Sequence, residues 1–495
     1  MNPNLKKFFR HSLVYGLGSA IGAVGGFILI PVYTKVLSPS EYGSLDLLNR
    51  IADLLVLVKL MGMRQAYIRF FFDREDEGWR RKVTGNVVLF ALVSSIFFSL
   101  CAYFLRHFIT ATVFSKGGVG DIVYVFTLML IWIPVDLQVN LGLTYLQIRM
   151  KSTAYVSVNF IRFLLFISSN IVLVYYMRKG IAGIFWTQIW TTVFISAGLL
   201  LYVWRKATFE LDFGLIKQLL KFGLPYLPAA FFMYLINNGD RYILGMSSTF
   251  SALGIYALAF KIGMMGTVLL MDPLQKVWGP FLFENYSKPG SAYLFGRIFT
   301  LFVLANSTVA LAISTLAPVI IPLISGKDFH SAYKVVPLIA LASVFMGLSY
   351  ISDAGILIAK RTDLKPMIFG ITAAISIFLN LVLVPRYAEF GAASALVCSS
   401  LAICLLNYNF SSRYFRFQLE HRKIFLIFAS CAITYFASRY GSSIGAGRLW
   451  QEVFSISALS IFPLMLWTMG FFSRDEKLMI KGFLSGNPWS AQAEK

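Results

Sequence analysis

The chain has 495 residues, 58% of them hydrophobic and only 14% charged, and a mean hydropathy of +0.71. Soluble proteins run at about 45–50% apolar and about 25% charged residues, so this composition excludes a water-soluble shape, and its apolar content excludes a disordered chain. The net charge of +21 then reads as membrane topology or as an anionic ligand, with no indication of nucleic acid.

Met1 to Arg10 is basic and is followed by an apolar run over 13–37. No A-x-A cleavage site follows, and the run is long enough to span a bilayer, so it reads as an uncleaved first span. A span needs about 20 mostly apolar residues. Thirteen further stretches qualify: 44–63, 86–105, 121–145, 154–177, 181–204, 222–246, 252–272, 293–324, 334–358, 366–384, 390–412, 423–438 and 452–472. Pro318 and Pro322 mark the ninth as a place to kink or break. The longest connections, Asp73–Gly85, Arg205–Lys221 and Pro273–Ala292, are too short for a folded soluble domain.

With the N-terminus inside, the cytoplasmic segments carry 29 Lys and Arg, the outer segments 10, and the spans five. That bias obeys the positive-inside rule and places both ends in the cytoplasm.

An internal repeat runs through the chain at an offset of about 210. Ser40-Glu-Tyr-Gly-Ser-Leu45 corresponds to Ala252-Leu-Gly-Ile-Tyr-Ala257, matching Gly43 to Gly254. Asn170-Ile-Val-Leu-Val174 corresponds to Asn380-Leu-Val-Leu-Val384, and the turn Arg149-Met-Lys151 to Lys360-Arg361. Six spans separate the repeat starts, and an even number keeps both halves the same way up. The expected fold is therefore an all-α integral membrane protein of about 14 transmembrane helices: two parallel six-helix repeats plus two C-terminal helices. The expected divisions are a bundle over 1–204, a cytoplasmic linker over 205–221, a second bundle over 222–412, and the two added helices and tail over 413–495.

Ionisable groups inside spans are costly and usually face a partner or a cavity. The second span carries Asp46, Arg50, Asp53 and Lys59, the first three on one helical face. Arg50 maps onto Lys261 under the repeat, so each half places a cation on its second helix. Such a pair suits a polyanionic head group such as a pyrophosphate. The alternative for Arg50 is a packed, neutral face with Asp46 and Asp53. Arg162 and Lys261 have no acid within a turn on their own helices. Asp240-Arg241 reads as a local pair or a gate. Lys59 is expected to snorkel, and Asp136 and Asp353 to partner basic loops. Gly18, Gly22 and Gly26 form overlapping GxxxG units, and Pro31, Pro225 and Pro228 are kink candidates.

Enzymatic signatures are missing. There is no GxxxxGK[ST], GxSxG or HExxH, and His11, His107, His330 and His421 have no metal-ligand spacing. Neither a cofactor nor a metal is expected. Cys101, Cys398, Cys404 and Cys431 lack CxxC spacing and read as free buried thiols.

The stretch from Gly16-Leu-Gly18 to Lys35-Val-Leu-Ser-Pro-Ser-Glu-Tyr-Gly43 resembles the start of Wzx-type polysaccharide transporters of the MOP exporter superfamily. Leu219-Leu-Lys-Phe-Gly-Leu-Pro-Tyr-Leu-Pro228, Asn238-Gly-Asp-Arg-Tyr-Ile-Leu-Gly245 and Gly254-Ile-Tyr-Ala-Leu-Ala-Phe-Lys-Ile-Gly263 resemble the seventh and eighth helices of that family. The resemblance implies a V-shaped pair of bundles working by alternating access. It implies a flippase of the cell (inner) membrane that moves undecaprenyl-pyrophosphate-linked units for O-antigen (lipopolysaccharide), capsule or exopolysaccharide. Membrane lipids are then partners, as are, in prospect, a polysaccharide polymerase and chain-length machinery. On this reading Arg50, Lys261, Arg162 and Arg241 contact the substrate, and Asp53 or Asp240 binds a coupling H+ or Na+. The competing readings are a cation-coupled multidrug exporter, for which unpaired cations are unfavourable, a membrane enzyme, for which a large outer loop is missing, and a non-transporting component of polysaccharide synthesis.

Overall fold

Long apolar runs and short polar breaks give a helical chain. A computed structural model describes residues 25–115, 121–444 and 454–472, and every regular element among them is helical. Gly18, Gly22 and the basic start lie outside the described residues. Among the described residues, eight helices are long and apolar enough to cross a membrane: Glu77–Phe104, Ile122–Ile148, Ser152–Tyr176, Gly180–Trp204, Phe213–Ser247, Ser291–Ile324, Val336–Ile358 and Leu364–Ser412. Shorter apolar helices cover Gly25–Val36, Phe250–Gly263 and Phe454–Thr468. The second span is the charged Pro39–Leu60 helix. Its start is fixed by a capping box, in which Ser38 and Glu41 satisfy each other's backbone N–H groups. Asp76, Asp121 and Asp212 cap three later helices through their side chains.

Several boundaries differ from the sequence reading. The linker expected over 205–221 is helical from Phe213 on, in a helix that runs to Gly223. Part of the expected loop 273–292 is helical as Asp272–Asn285, which follows a π-helical turn over Thr267–Met271. Pro318 and Pro322 do not break the 34-residue Ser291–Ile324 helix. Pro225 sits in a 3-10 turn and Pro228 in the first turn of the Leu227–Ser247 helix, where the missing N–H costs nothing. The four thiols are free, but Cys101 and Cys398 are exposed rather than buried. In a bilayer protein the outward face meets lipid, so a small apolar side chain has no reason to turn inward.

The repeat is visible in the backbone itself. Met150 and Lys360, 210 positions apart, both take left-handed φ values (52° and 56°). Arg178 and Ala388, also 210 apart, do the same (50° and 46°). The second of these breaks Leu364–Ser412 into two spans. Asn170 and Asn380 each donate to the carbonyl four residues back, Phe166 and Ser376, at 2.8 Å. Two further sites copy each other. Thr208 N–H donates to Arg81 O, and its carbonyl packs on Gly85. Gln418 N–H donates to Ala292 O, and its carbonyl packs on Gly296. A Cβ at Gly85 or Gly296 would stand 2.0 or 2.1 Å from that carbonyl oxygen, so only glycine admits the docked segment.

By packing, the chain divides into two compact units: residues 1–259 with 324–335 and 362–403, and residues 260–323 with 336–361 and 404–495. The division does not follow the boundary at 205–221. Within the first unit, Tyr67, Phe71, Val87, Leu137, Tyr145 and Leu219 belong to one apolar core, which ties the Phe213–Gly223 helix to the helices before it. In the second, Trp278, Phe295, Val303, Leu348 and Phe417 centre a separate core.

Candidate functional site

The Pro39–Leu60 helix brings Asp46, Arg50 and Asp53 onto one face, as the i, i+4, i+7 spacing requires. Its first turns cross the start of the Phe250–Gly263 helix backbone to backbone. An added Cβ on Gly43 would stand 2.2 Å from Phe250 O, and one on Gly254 would stand 1.9 Å from Pro39 O. Two aromatic contacts brace the crossing. Phe114 stacks on Phe250 with ring centroids 5.4 Å apart, and Phe329 meets Tyr42 edge-on at 5.5 Å.

The Leu227–Ser247 helix runs beside this crossing and supplies the rest of the cluster. Arg241 is 3% exposed at its side chain. Its Nε donates to Asp46 Oδ2 (3.0 Å), and its Nη1 donates to Asp240 Oδ1 (3.0 Å) and Asn237 O (2.8 Å). Asp240 also accepts the Tyr256 hydroxyl. Arg50 Nη1 donates to Asp53 Oδ2 (2.8 Å) and to Asn238 Oδ1 (3.2 Å), and its Nη2 lies 3.7 Å from Asp46. Tyr234 donates to the Arg50 carbonyl at 2.6 Å and shares a hydrogen bond with Tyr242. Arg50 Nε is buried with no hydrogen-bond partner among the described residues.

The described cluster therefore sets two guanidinia against three carboxylates. Asp46 bridges both arginines. Asp240 is committed to Arg241 and Tyr256. Asp53, at 55% side-chain exposure, holds Arg50 from the open side. Only the Arg241 pairs are buried, and removing a partner from such a pair costs about 3–5 kcal/mol. The chemistry on offer is a guanidinium with one spare buried donor and one exchangeable carboxylate partner.

The other expected residues are placed differently. Arg162, which has no acid on its own helix, pairs with Asp136 of the Ile122–Ile148 helix at 2.5 Å. Asp136 thus takes a cation within the spans and not the basic loop expected for it. Lys59 does not snorkel. It is fully buried and donates to Ser99 Oγ at 2.8 Å, and Ser99 passes the hydrogen bond to Leu130 O. Hydrogen bonding at short range here replaces the reach to the interface. Lys261 belongs to the second compact unit, Arg50, Arg162 and Arg241 to the first. Sequence reasoning did not assign Asn238, Tyr234, Tyr242 and Tyr256. The run Asn237-Asn238-Gly-Asp-Arg241 inside an apolar helix was the available signal, because clustered polar groups in a span need partners.

A family model described as polysaccharide biosynthesis protein matches residues 32–292, just over half of the chain. No curated protein matches the sequence significantly. Among solved structures, the chain is similar to the lipid II flippase MurJ in an inward closed conformation, at TM-score 0.72 and 13% identity, covering 93% of this chain and 99% of that one. It is also similar to an inward-facing multidrug resistance MATE family transporter of the MOP superfamily, at TM-score 0.59 and 12% identity, with 80% and 94% covered. A third match is a Vibrio cholerae MATE transporter, at TM-score 0.55 and 13% identity, with 82% and 97% covered. At these identities the likeness is one of fold.

Proposed function

Because the chain belongs to the polysaccharide biosynthesis protein family, we propose that it is a Wzx-type flippase: it carries a polyprenyl-pyrophosphate-linked oligosaccharide across the cell membrane by alternating access. The flippase and transporter folds of its structural neighbours support a transporter over an enzyme. Two six-helix halves, one for each copy of the repeat, would rock about the crossing at Gly43 and Gly254. With both chain ends in the cytoplasm, that crossing lies on the outer side and must part for release.

The observation that carries the reading is Arg50, a span guanidinium with a buried, unpartnered Nε and a half-exposed acid as its partner. A pyrophosphate oxygen can displace Asp53 and take the Nη1 donor, a charge-assisted hydrogen bond of the kind Arg makes to phosphate. Arg241, fully committed to Asp46 and Asp240, holds the cluster in shape while Arg50 exchanges. Lys261, the counterpart of Arg50 under the repeat, and Arg162 are further contacts proposed for the substrate. Asp53, released by Arg50, is the better placed of the two acids to take a coupling proton or Na+.

The excess of carboxylates over guanidinia in the cluster favours a second reading, a cation-coupled drug exporter. Polysaccharide surface export in Arg50→Ala and Lys261→Ala cells at equal protein level separates the two. Export is expected to fall in both, with drug resistance unchanged in an efflux-deficient host. Wild-type export in both variants would refute the cation role.

A further inference from the structure

Within the first compact unit lies a cavity of about 330 Å³, lined by Trp132, Asn159, Arg162, Phe163, Gln188 and Thr191, among others. Its size falls within the range of small-molecule sites. Two of its polar atoms are buried without a hydrogen-bond partner among the described residues: Gln188 Oε1 and Thr191 Oγ1. Thr191 is only 3% exposed. An unsatisfied buried acceptor of this kind is costly, and a ligand able to donate hydrogen bonds would recover that cost. Trp132 is already oriented by its own indole N–H, which donates to Thr192 Oγ1 at 3.1 Å. Phe163 stacks with Phe160 at a ring separation of 6.4 Å.

The charge balance selects the ligand. Arg162 is matched by Asp136, so the pair carries no net charge. Asp136 is fixed further by Asn140, whose Nδ2 donates to its carboxylate at 2.8 Å. A phosphate oxyanion has only lone pairs to offer Gln188 Oε1 and, among the described lining residues, no unmatched cation to meet. A sugar ring has hydroxyls that donate to Gln188 and Thr191, and an apolar face for the Trp132 and Phe163 rings. We propose that this cavity is a carbohydrate subsite, which holds a sugar ring of the transported head group apart from the Arg50 cluster.

The inference rests on the flippase reading, and its test separates the two. Full-length protein in nanodiscs is titrated with three probes: a lipid-linked oligosaccharide extracted from a polysaccharide-producing strain, the same oligosaccharide freed by mild acid, and sugar-free polyprenyl pyrophosphate. Thr191→Val keeps the side-chain volume and removes the hydroxyl, Thr191→Ser restores it, and Gln188→Leu removes the second acceptor. Thr191→Val and Gln188→Leu are expected to weaken both glycan-bearing probes about tenfold, roughly the effect of one hydrogen bond to a buried group. Thr191→Ser is expected to recover most of that loss, and binding of polyprenyl pyrophosphate is expected to stay unchanged throughout. Equal glycan affinity in wild type and variants, with the lipids still bound, overturns the subsite alone. Equal losses for the sugar-free lipid also overturn it, by showing a merely structural role. Wild-type protein that binds free oligosaccharide but not polyprenyl pyrophosphate supports the subsite and overturns the flippase reading.

Discussion

Gly43 and Gly254 occupy equivalent places in the two repeats and touch each other. A Cβ added to Gly43 would stand 2.8 Å from the nitrogen of Gly254, and one added to Gly254 would stand 3.1 Å from the nitrogen of Gly43. Their further contacts are reciprocal as well, Gly43 against Phe250 O and Gly254 against Pro39 O, and Pro39 and Phe250 are themselves 211 positions apart. Mutual contact between equivalent residues is the mark of a two-fold relation, of the kind an isologous interface shows between subunits. A single chain here makes that contact with itself.

The obstacle at each glycine is backbone, which cannot turn aside. Gly43→Val and Gly254→Val are therefore expected to force the two helices apart and destabilise the protein by about 1–3 kcal/mol. Gly239, with nothing near its Cβ position, is the control. Thermal unfolding in detergent, followed by size-exclusion chromatography, should show a lower midpoint for the first two variants and little change for Gly239→Ala. An unchanged midpoint in Gly43→Val would contradict the close crossing.

The two arginines of the cluster should separate stability from transport. Arg241→Met leaves Asp240 without its cation at 2% side-chain exposure, and Asp46 with only Arg50 at 3.7 Å, at a cost of about 3–5 kcal/mol. Arg50→Met disturbs a partly exposed pair, where exposed ion pairs contribute about 0–1 kcal/mol. Membrane protein level should fall sharply for Arg241→Met, whereas Arg50→Met should keep its level and lose export. Equal protein loss in both would show that Arg50 is only structural.

Lys59 is buried with Ser99 as its hydrogen-bond partner, an expensive way to keep a cation in a span. Lys59→Met removes the charge, keeps much of the volume, and leaves Ser99 bonded to Leu130 O. Thermal stability of Lys59→Met should match or exceed wild type. A marked drop would mean that the ammonium makes a necessary contact.

The docked linker should respond to acid. The Lys82 hydrogen bond, helped by the Leu215 N–H, holds the Asp212 carboxyl below the usual carboxylate range. A depressed folded value means that the contribution is complete above the ordinary Asp pKa of about 3.9 and fades as pH falls through the depressed value. Limited proteolysis with an acid-tolerant protease should cut the 205–212 segment faster as pH drops below about 4. Asp212→Asn should show less of that change, and an identical profile would contradict the assignment.

Much of this architecture was legible in the sequence. Hydropathy found the spans because a bilayer demands long apolar helices, and the repeat was anchored on Gly43/Gly254 and Asn170/Asn380, which the backbone then treats alike. The helical spacing of Asp46, Arg50 and Asp53 also gave their shared face, and their pairing as the alternative to a cation facing the substrate. Partners on other helices were not legible. Arg162 finds Asp136 and Lys59 finds Ser99 across helices, and a one-dimensional pattern holds no information on which neighbour a span meets. The Phe213–Gly223 and Asp272–Asn285 helices were missed inside supposed loops because they are short and polar enough to fall below a span's hydropathy.

The most direct measurement is translocation itself. Full-length protein is reconstituted into liposomes carrying a lipid-linked oligosaccharide in both leaflets, and the fraction open to an external glycosidase is followed over time. Wild-type protein is expected to expose the inner-leaflet pool, which stays protected in protein-free vesicles, and Arg50→Ala at equal reconstitution is expected to leave most of it protected. A pool that stays protected with wild-type protein, or that is exposed equally fast by Arg50→Ala, would contradict a flippase that works through Arg50.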